Sequence, residues 1–60
     1  MAAEFELYKD DGGEYRWRLQ AANNEIIADS AEGYRSKAGA EEGIRDVQRI
    51  APTAPINDRT

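Results

Sequence analysis

Apolar and polar residues alternate along three short segments in the first half of the chain, and this period of two is typical of half-buried β-strands. The predicted strands span about residues 4–9, 14–21 and 25–29. Turn-forming residues separate them at 10–13 and 23–24, where glycine and asparagine accept positive φ angles at little cost. The pattern predicts a three-stranded antiparallel meander with one apolar face.

The register of the first hairpin follows from the requirement that apolar residues share one face, since a slip of one residue would reverse every side chain. A five-residue loop over 9–13 opposes apolar to apolar residues and acidic to basic residues. The predicted pairs are Leu7 with Tyr15, Phe5 with Trp17, Glu6 with Arg16, and Glu4 with Arg18.

For the second hairpin, a two-residue type I′ turn at Asn23 and Asn24 preserves the same two faces. The predicted pairs are Ala21 with Ile26, Leu19 with Ala28, Gln20 with Ile27, and Arg18 with Asp29. Arg18 then lies between acidic residues of both neighbouring strands, and such cross-strand pairs are worth roughly 0.2 to 1 kcal/mol each. We expect a solvated charge lattice with a structural role.

The second half of the chain predicts one amphipathic helix over about residues 37–51. Ser36 is a suitable N-cap, and Pro52 prevents the helix from continuing. Gly39 and Gly43 share the apolar side of this helix with its aliphatic residues. Each glycine costs about 1 kcal/mol relative to alanine. We therefore expect the helix to approach the sheet closely, at Trp17 or Tyr15, with a partner element as the alternative.

The last segment, about residues 54–58, is predicted to be a short edge strand. Pro55 excludes a central position, because proline donates no ladder hydrogen bond. Ile56 would gain nothing from exposure to water, so docking on a sheet is favoured over disorder. The whole chain, residues 1–60, is thus predicted as a single α+β domain: a meander, one helix on one face, then a short C-terminal strand.

A chain of this length buries only about 60% of the surface that its unfolded form exposes, so its core is marginal. Folds this small usually need disulfides, a metal ion or a partner subunit. The chain has no cysteine and no histidine, which excludes disulfides and leaves carboxylates alone for a metal ion. We expect no catalytic, cofactor-binding or metal-binding residues, and a second subunit is the support that remains.

Net charge and hydropathy limit the location and the partners. The net charge of −4 disfavours binding to phosphate backbones, although nucleic acid stays open as an alternative. The start of the chain lacks the pattern of a secretory signal, and no segment is apolar enough to span a membrane, so we expect a cytoplasmic protein. An acidic, lysine-poor surface suits a salt-rich, halophilic cytoplasm; ordinary acidic drift is the other interpretation.

Two groups of residues are candidates for binding an anion or a partner. Arg16 and Arg18 project from one sheet face, but acidic residues on that face would neutralise them. Tyr34, Arg35 and Lys37 precede or begin the helix, whose N-terminus favours anions; a structural anchor is the alternative role for Tyr34. Residues expected in packing or dimer contacts are Trp17, Gly39, Gly43 and Ile56.

The segment Gly13–Leu19, together with Asn23, 26–30, 32–34, Lys37, Ala38, Gly43, Ile44 and Val47, resembles the YegP-like family of small uncharacterised proteins. The resemblance covers about residues 5–58 without a gap, with Asn24 where many relatives have glycine. It implies a β-β-β-α-β motif, of which two copies join into one sheet and exchange their C-terminal strands. Because this chain has one copy, the resemblance implies a homodimer with swapped residues around 54–58. It brings no site residues.

The functional expectation is a small non-enzymatic homodimer that serves as a structural or protein-interaction module. Its partners are a second copy of itself and an unidentified protein. An enzyme is disfavoured because histidine, the usual general base, is absent, and acidic residues near the first turn suit turn formation. The alternative is an anion or nucleic-acid binding module that uses Arg16, Arg18, Arg35 and Lys37.

Overall fold

The computed structural model describes residues 2–60, and in it three strands precede one helix. The strands form one antiparallel sheet in the order β1-β2-β3, and the helix contacts β1 and β2. This arrangement confirms the predicted α+β class and meander. The elements are β1 (Glu4–Lys9), β2 (Tyr15–Gln20), β3 (Ile26–Asp29), α1 (Lys37–Ile50) and a short 3-10 turn (Ala51–Thr53).

The register of the first hairpin differs from the predicted register by two residues. In the structure, Phe5 lies opposite Leu19, Leu7 opposite Trp17, Glu6 opposite Arg18, and Glu4 opposite Gln20. The four predicted pairs, Leu7 with Tyr15, Phe5 with Trp17, Glu6 with Arg16, and Glu4 with Arg18, are therefore wrong. A shift of two leaves every side chain on its predicted face, because strand side chains alternate with a period of two.

The turn of this hairpin explains the shift. The Asp10 N–H donates to the Glu14 carbonyl at 2.8 Å, and the Glu14 N–H donates to Asp10 Oδ1 at 2.9 Å. These bonds pair Asp10 with Glu14 and confine the loop to residues 11–13. Gly13 ends the loop at φ 84°, a left-handed conformation that suits glycine. The predicted loop over 9–13 ends at the correct residue but begins two residues too early.

The second hairpin matches the predicted register far from its turn and departs from it near the turn. Arg18 lies opposite Asp29 as predicted, and Leu19 lies opposite Ala28 as predicted. Gln20, however, lies opposite Ile26 rather than Ile27, because a bulge interrupts the ladder. The extra residue is accommodated as in other bulges, by local bending of the strand.

A three-residue loop replaces the predicted two-residue turn of the second hairpin. The Ala21 N–H donates to the Glu25 carbonyl at 2.8 Å, so Ala21 pairs with Glu25 rather than with Ile26. Asn24 takes the left-handed position at φ 68°. Both hairpins therefore use a three-residue loop that ends in a left-handed residue, which is a common hairpin geometry.

Helix α1 begins where the sequence predicts and ends one residue earlier. The Ser36 Oγ accepts a hydrogen bond from the Gly39 N–H at 3.0 Å, which satisfies one otherwise free donor of the first turn. Pro52 lies in the 3-10 turn that follows Ile50. Ala40 is completely buried where α1 meets the sheet. Within residues 2–60, α1 is too short and too polar to cross a membrane.

The core of a single chain is small. Among residues 2–60, the buried apolar residues are Trp17 and Ala40. Phe5 packs edge-on against Trp17 with ring centroids 5.6 Å apart. The buried hydroxyl of Ser30 accepts from the Trp17 N–H at 3.1 Å and ties the end of β3 to β2.

The C-terminal segment lies in the open. Residues 54–60 are exposed and form no strand within one chain, and the Ile56 side chain is 96% exposed. Strands β1 and β3 are the two edges of the sheet, so each has one side without a neighbouring strand among residues 2–60. The predicted strand over 54–58 is therefore not formed within the single chain that the structure describes.

Candidate functional site

The sheet face turned away from α1 carries a network of ion pairs. Arg18 Nε lies 2.5 Å from Glu6 Oε1, and its guanidinium lies 4.5 Å from the centre of the Tyr8 ring. Arg16 Nε lies 2.6 Å from Asp10 Oδ2. Both arginine side chains are about one-third exposed, at 32% and 33%. Each guanidinium on this face therefore already has an acidic partner.

The pair of Arg16 and Asp10 changes the ionisation of both groups. The hydrogen bond from Arg16 holds the pKa of the Asp10 carboxyl below its ordinary value of 3.8, and the Glu14 N–H lowers it further. The same hydrogen bond raises the pKa of Arg16. Because the folded pKa of Asp10 is lowered, its stabilising effect is complete above pH 3.8 and is lost as the pH falls through the folded value.

Arg16 and Arg18 were predicted as candidate anion ligands, and the structure places both on the outer face as expected. Asp29 lies opposite Arg18 on β3, which adds a further acidic residue to this face. An incoming phosphate would have to compete with these carboxylates. The outer face is thus better described as a charge lattice than as a positive patch.

Tyr34 lies between the sheet and the helix. Its backbone forms an isolated bridge with Tyr15, through two N–H to carbonyl bonds of 2.8 Å each. Its half-buried ring lies beneath Gly39 and Gly43 of α1. Arg35, by contrast, is exposed beside it. The geometry makes Tyr34 an anchor for the start of the helix.

The close approach of helix and sheet occurs at Gly43. A Cβ atom built on Gly43 would lie 2.6 Å from Tyr34 Oη and 3.2 Å from Trp17 Nε1. The first distance is shorter than real side chains show and the second is tighter than most, so the Tyr34 ring or the helix would have to shift. Gly39 is less crowded, since its nearest neighbours would be Ser36 Oγ at 3.1 Å and Tyr34 Cδ1 at 3.6 Å.

Replacing Gly43 with alanine is expected to lower the melting temperature. In an open helix the same change is favourable by about 1 kcal/mol. Here the added methyl would push against Tyr34 and Trp17, and overpacking of this kind typically costs about 1 to 3 kcal/mol. Thermal melts followed by circular dichroism measure the change.

The matched control is Gly39→Ala, which makes the same chemical change one turn away. We expect a smaller loss than for Gly43→Ala, or a gain in stability, because only the Ser36 hydroxyl is close. A Gly43→Ala protein that melts above the parent would show that the helix does not approach Trp17 this closely.

Two clefts flank β1 beside the helix. The first, of about 260 Å³, is lined by Leu7, Glu41, Ile44, Arg45 and Gln48. The second, of about 490 Å³, lies at the end of β1 and is lined by Leu7, Tyr8, Lys9, Tyr15 and Lys37. Within residues 2–60, no group of three or more acidic residues is arranged to hold a metal ion.

Of the predicted candidates, Lys37 lines the second of these two clefts. Its neighbours there, Lys9 and Tyr15, were not predicted as site residues, because their approach to Lys37 depends on where the helix begins relative to the sheet. The Lys9 Nζ lies 5.2 Å from the centre of the Tyr15 ring. Such a cation–π contact holds the ammonium group beside the cleft.

Comparison with known proteins identifies one family. The family described as "Domain of unknown function (DUF1508)" matches residues 10–58. A UPF0339 protein of Treponema denticola is 48% identical over 56 residues, which cover 93% of this chain and 95% of that protein. A UPF0339 protein of Stutzerimonas stutzeri is 44% identical over 52 residues, which cover 87% of this chain but 46% of that longer protein.

A solved structure shares the fold. The solution structure of a protein from Haloferax volcanii, determined by NMR, superposes with a TM-score of 0.88 at 47% sequence identity. The superposition covers 95% of this chain and 95% of that one. The arrangement of three strands followed by one helix is therefore the fold of an experimentally determined relative.

Proposed function

The chain belongs to the DUF1508 family, whose function is unknown, and from this premise we propose that it is a non-enzymatic homodimeric module for structure or protein interaction. Membership confirms the family resemblance inferred from the sequence. In this proposal two copies complete one continuous sheet by exchanging residues around 54–58. Each copy supplies the edge strand that the other lacks.

The small core of one chain is the observation that carries the proposal. Trp17 and Ala40 are the buried apolar residues among those described, whereas Phe5, Leu7, Leu19 and the helix aliphatics stay partly exposed. Burial of apolar area contributes roughly 25 cal/mol per Å². A chain of this size with so little buried area gains its missing stability most directly from a second copy.

The open C-terminal segment supports the exchange. The Ile56 side chain is 96% exposed in a single chain, so it buries almost no apolar area there. The cleft between β1 and α1 has Leu7 and Ile44 in its lining, and it lies beside the free edge of β1. Ile56 of a second copy would fill this cleft while its backbone pairs with β1. Such exchange is a low-cost route to a two-fold dimer.

The length of the Stutzerimonas stutzeri protein also supports a unit made of two copies. This chain covers 46% of that protein, which is therefore long enough for two domains of this size. Two linked domains and two separate subunits would supply the same pair of motifs. The dimer is the arrangement open to a chain with one motif.

A protein partner fits the opposite edge of the sheet. Ile26 and Ile27 are 53% and 58% exposed on β3, beside the bulge. In the proposed dimer the β1 edges are covered, and the β3 edges remain free. These exposed isoleucines would then be the contact surface for an unidentified protein.

The mass of the full chain in solution tests the homodimer. Multi-angle light scattering at micromolar concentration should give twice the chain mass of 6.7 kDa. A stable folded monomer would contradict the proposal.

Cross-linking in native cells, followed by purification, tests whether the protein is an interaction module. Enrichment of one protein with the parent chain, and its loss with Ile27→Ser, would support this role. Enrichment of nucleic acid alone would contradict it.

A cytoplasmic location and adaptation to salt complete the proposal. The net charge of −4 creates self-repulsion that salt screens, since the Debye length falls from about 10 Å at 0.1 M to about 3 Å at 1 M. The melting temperature is therefore expected to rise as potassium chloride increases over this range. Cell fractionation tests the location.

The control for the salt experiment is a variant with less negative charge. Glu32→Gln with Glu42→Gln removes two exposed charges, and its melting temperature should depend less on salt than that of the parent. If the melting temperature of the parent stays constant or falls as salt increases, the acidic excess is not an adaptation to salt.

A further inference from the structure

The cleft at the end of β1 contains both lysines of the chain. Lys9 and Lys37 come from different elements, and the sequence has no other lysine. The remaining lining residues are Leu7, Tyr8 and Tyr15, so no acidic side chain lines the cleft. Among the ion pairs of residues 2–60, every cation is an arginine. Both ammonium groups are therefore free to bind an anion.

The lining of this cleft is positively charged although the chain as a whole is acidic. Acidic residues outnumber basic ones twelve to eight, yet this cleft has two cations and no carboxylate in its lining. Two like charges that face one cleft repel each other unless an anion lies between them. The Lys9 ammonium is also oriented by the Tyr15 ring, 5.2 Å away. The arrangement suits a ligand with two negative charges.

We propose that this cleft binds a small phosphomonoester with a planar ring, the chemistry of a mononucleotide. A phosphomonoester carries about −1.5 to −2 charge at neutral pH, which matches the two ammonium groups. Tyr15 and Leu7 supply aromatic and apolar surface for the ring. The volume of about 490 Å³ lies within the usual size of small-molecule sites.

A small ligand fits better than a nucleic-acid strand. A strand would extend beyond the cleft onto a surface whose net charge is −4, where each further phosphate meets repulsion. All five lining residues belong to one chain. The proposed site therefore goes beyond the homodimer; of its lining residues, Leu7 is shared with the cleft that Ile56 of a second copy is proposed to fill.

Titration of the full-length protein with adenosine monophosphate, followed by amide NMR shifts, tests the proposal. We expect saturable shifts at Lys9, Tyr15 and Lys37. Lys9→Gln and Lys37→Gln should each weaken binding roughly tenfold, the loss expected when one close charge contact is removed at a partly exposed site. Adenosine, which lacks the phosphate, and inorganic phosphate, which lacks the ring, should both bind more weakly.

Arg49→Gln is the matched control, because it removes one exposed positive charge of α1 that lies outside the cleft. We expect its affinity to stay within about twofold of the parent, since an exposed charge that makes no contact with the ligand is largely screened by water and salt. The proposal is overturned if no saturable shift occurs, or if Arg49→Gln weakens binding as much as Lys37→Gln. Equal affinity for inorganic phosphate, or tighter binding of a single-stranded RNA oligonucleotide, would also overturn it.

Discussion

Replacing Trp17 with alanine is expected to abolish the folded state at room temperature. Trp17 is 6% exposed, Phe5 packs edge-on against it, and Gly43 lies close to its indole nitrogen. Truncating a buried tryptophan typically costs about 3 to 5 kcal/mol. A domain with so small a core has at most about that much stability, since even larger domains have only about 5 to 15 kcal/mol. Circular dichroism melts measure the loss.

Tyr8→Ala is the matched control for Trp17→Ala, because it truncates a large aromatic residue that is only half-buried on the outer face. We expect Tyr8→Ala to keep a cooperative melt at a moderately lower temperature, since the Arg18 guanidinium no longer has a ring to pack against. If Trp17→Ala melts cooperatively within a few degrees of the parent, Trp17 is not the centre of the core.

Deleting residues 53–60 is expected to shift the protein from dimer to monomer and to lower its melting temperature at the same time. In one chain the segment 54–60 is exposed, and the Ala54 N–H donates to the Ala51 carbonyl of the 3-10 turn at 3.2 Å. Its removal from a monomer would therefore cost little. A large joint effect arises only if the segment is buried against a second chain. Sedimentation equilibrium and thermal melts measure both quantities.

A point substitution tests the proposed apolar contact of Ile56 without removing the rest of the C-terminal segment. Ile56→Asp places a charge where the proposed dimer buries an isoleucine, and an unpaired buried charge is costly. Ile27→Asp is the matched control, because Ile27 is also exposed but lies on β3, away from the proposed exchange. We expect Ile56→Asp alone to weaken the dimer. A truncated chain that remains a full-affinity dimer would place the interface elsewhere.

The strands and their faces were predictable because side chains alternate between the two faces of a strand. An error of two residues in the pairing of strands therefore leaves every side chain on the correct face. Leu19 with Ala28 and Arg18 with Asp29 were correct because they lie far from the turn. All four predicted pairs of the first hairpin and the predicted pairs next to the second turn were wrong, since the Asp10 carboxylate and the left-handed Asn24 select three-residue loops. Neither the Asp10 hydrogen bond nor the Asn24 conformation can be predicted from the alternation of apolar and polar residues.

The candidate site was likewise predictable in its faces but not in its contacts. The outer face of Arg16 and Arg18 followed from alternation, but their acidic partners depend on the register, which assigns Glu6 to Arg18 and Asp10 to Arg16. The cleft that joins two distant lysines depends on the distance between the end of β1 and the start of α1. Sequence pattern alone does not give that distance.

Contacts between chains in a mixed dimer test the shared sheet most directly. Equal amounts of isotope-labelled and unlabelled protein are unfolded, refolded together and studied by filtered NMR experiments that detect only contacts between chains. We expect contacts from the Ile56 methyl groups of one chain to Leu7 and Ile44 of the other. An Ile56 with random-coil shifts and no contact to a second chain would contradict the strand-exchanged dimer.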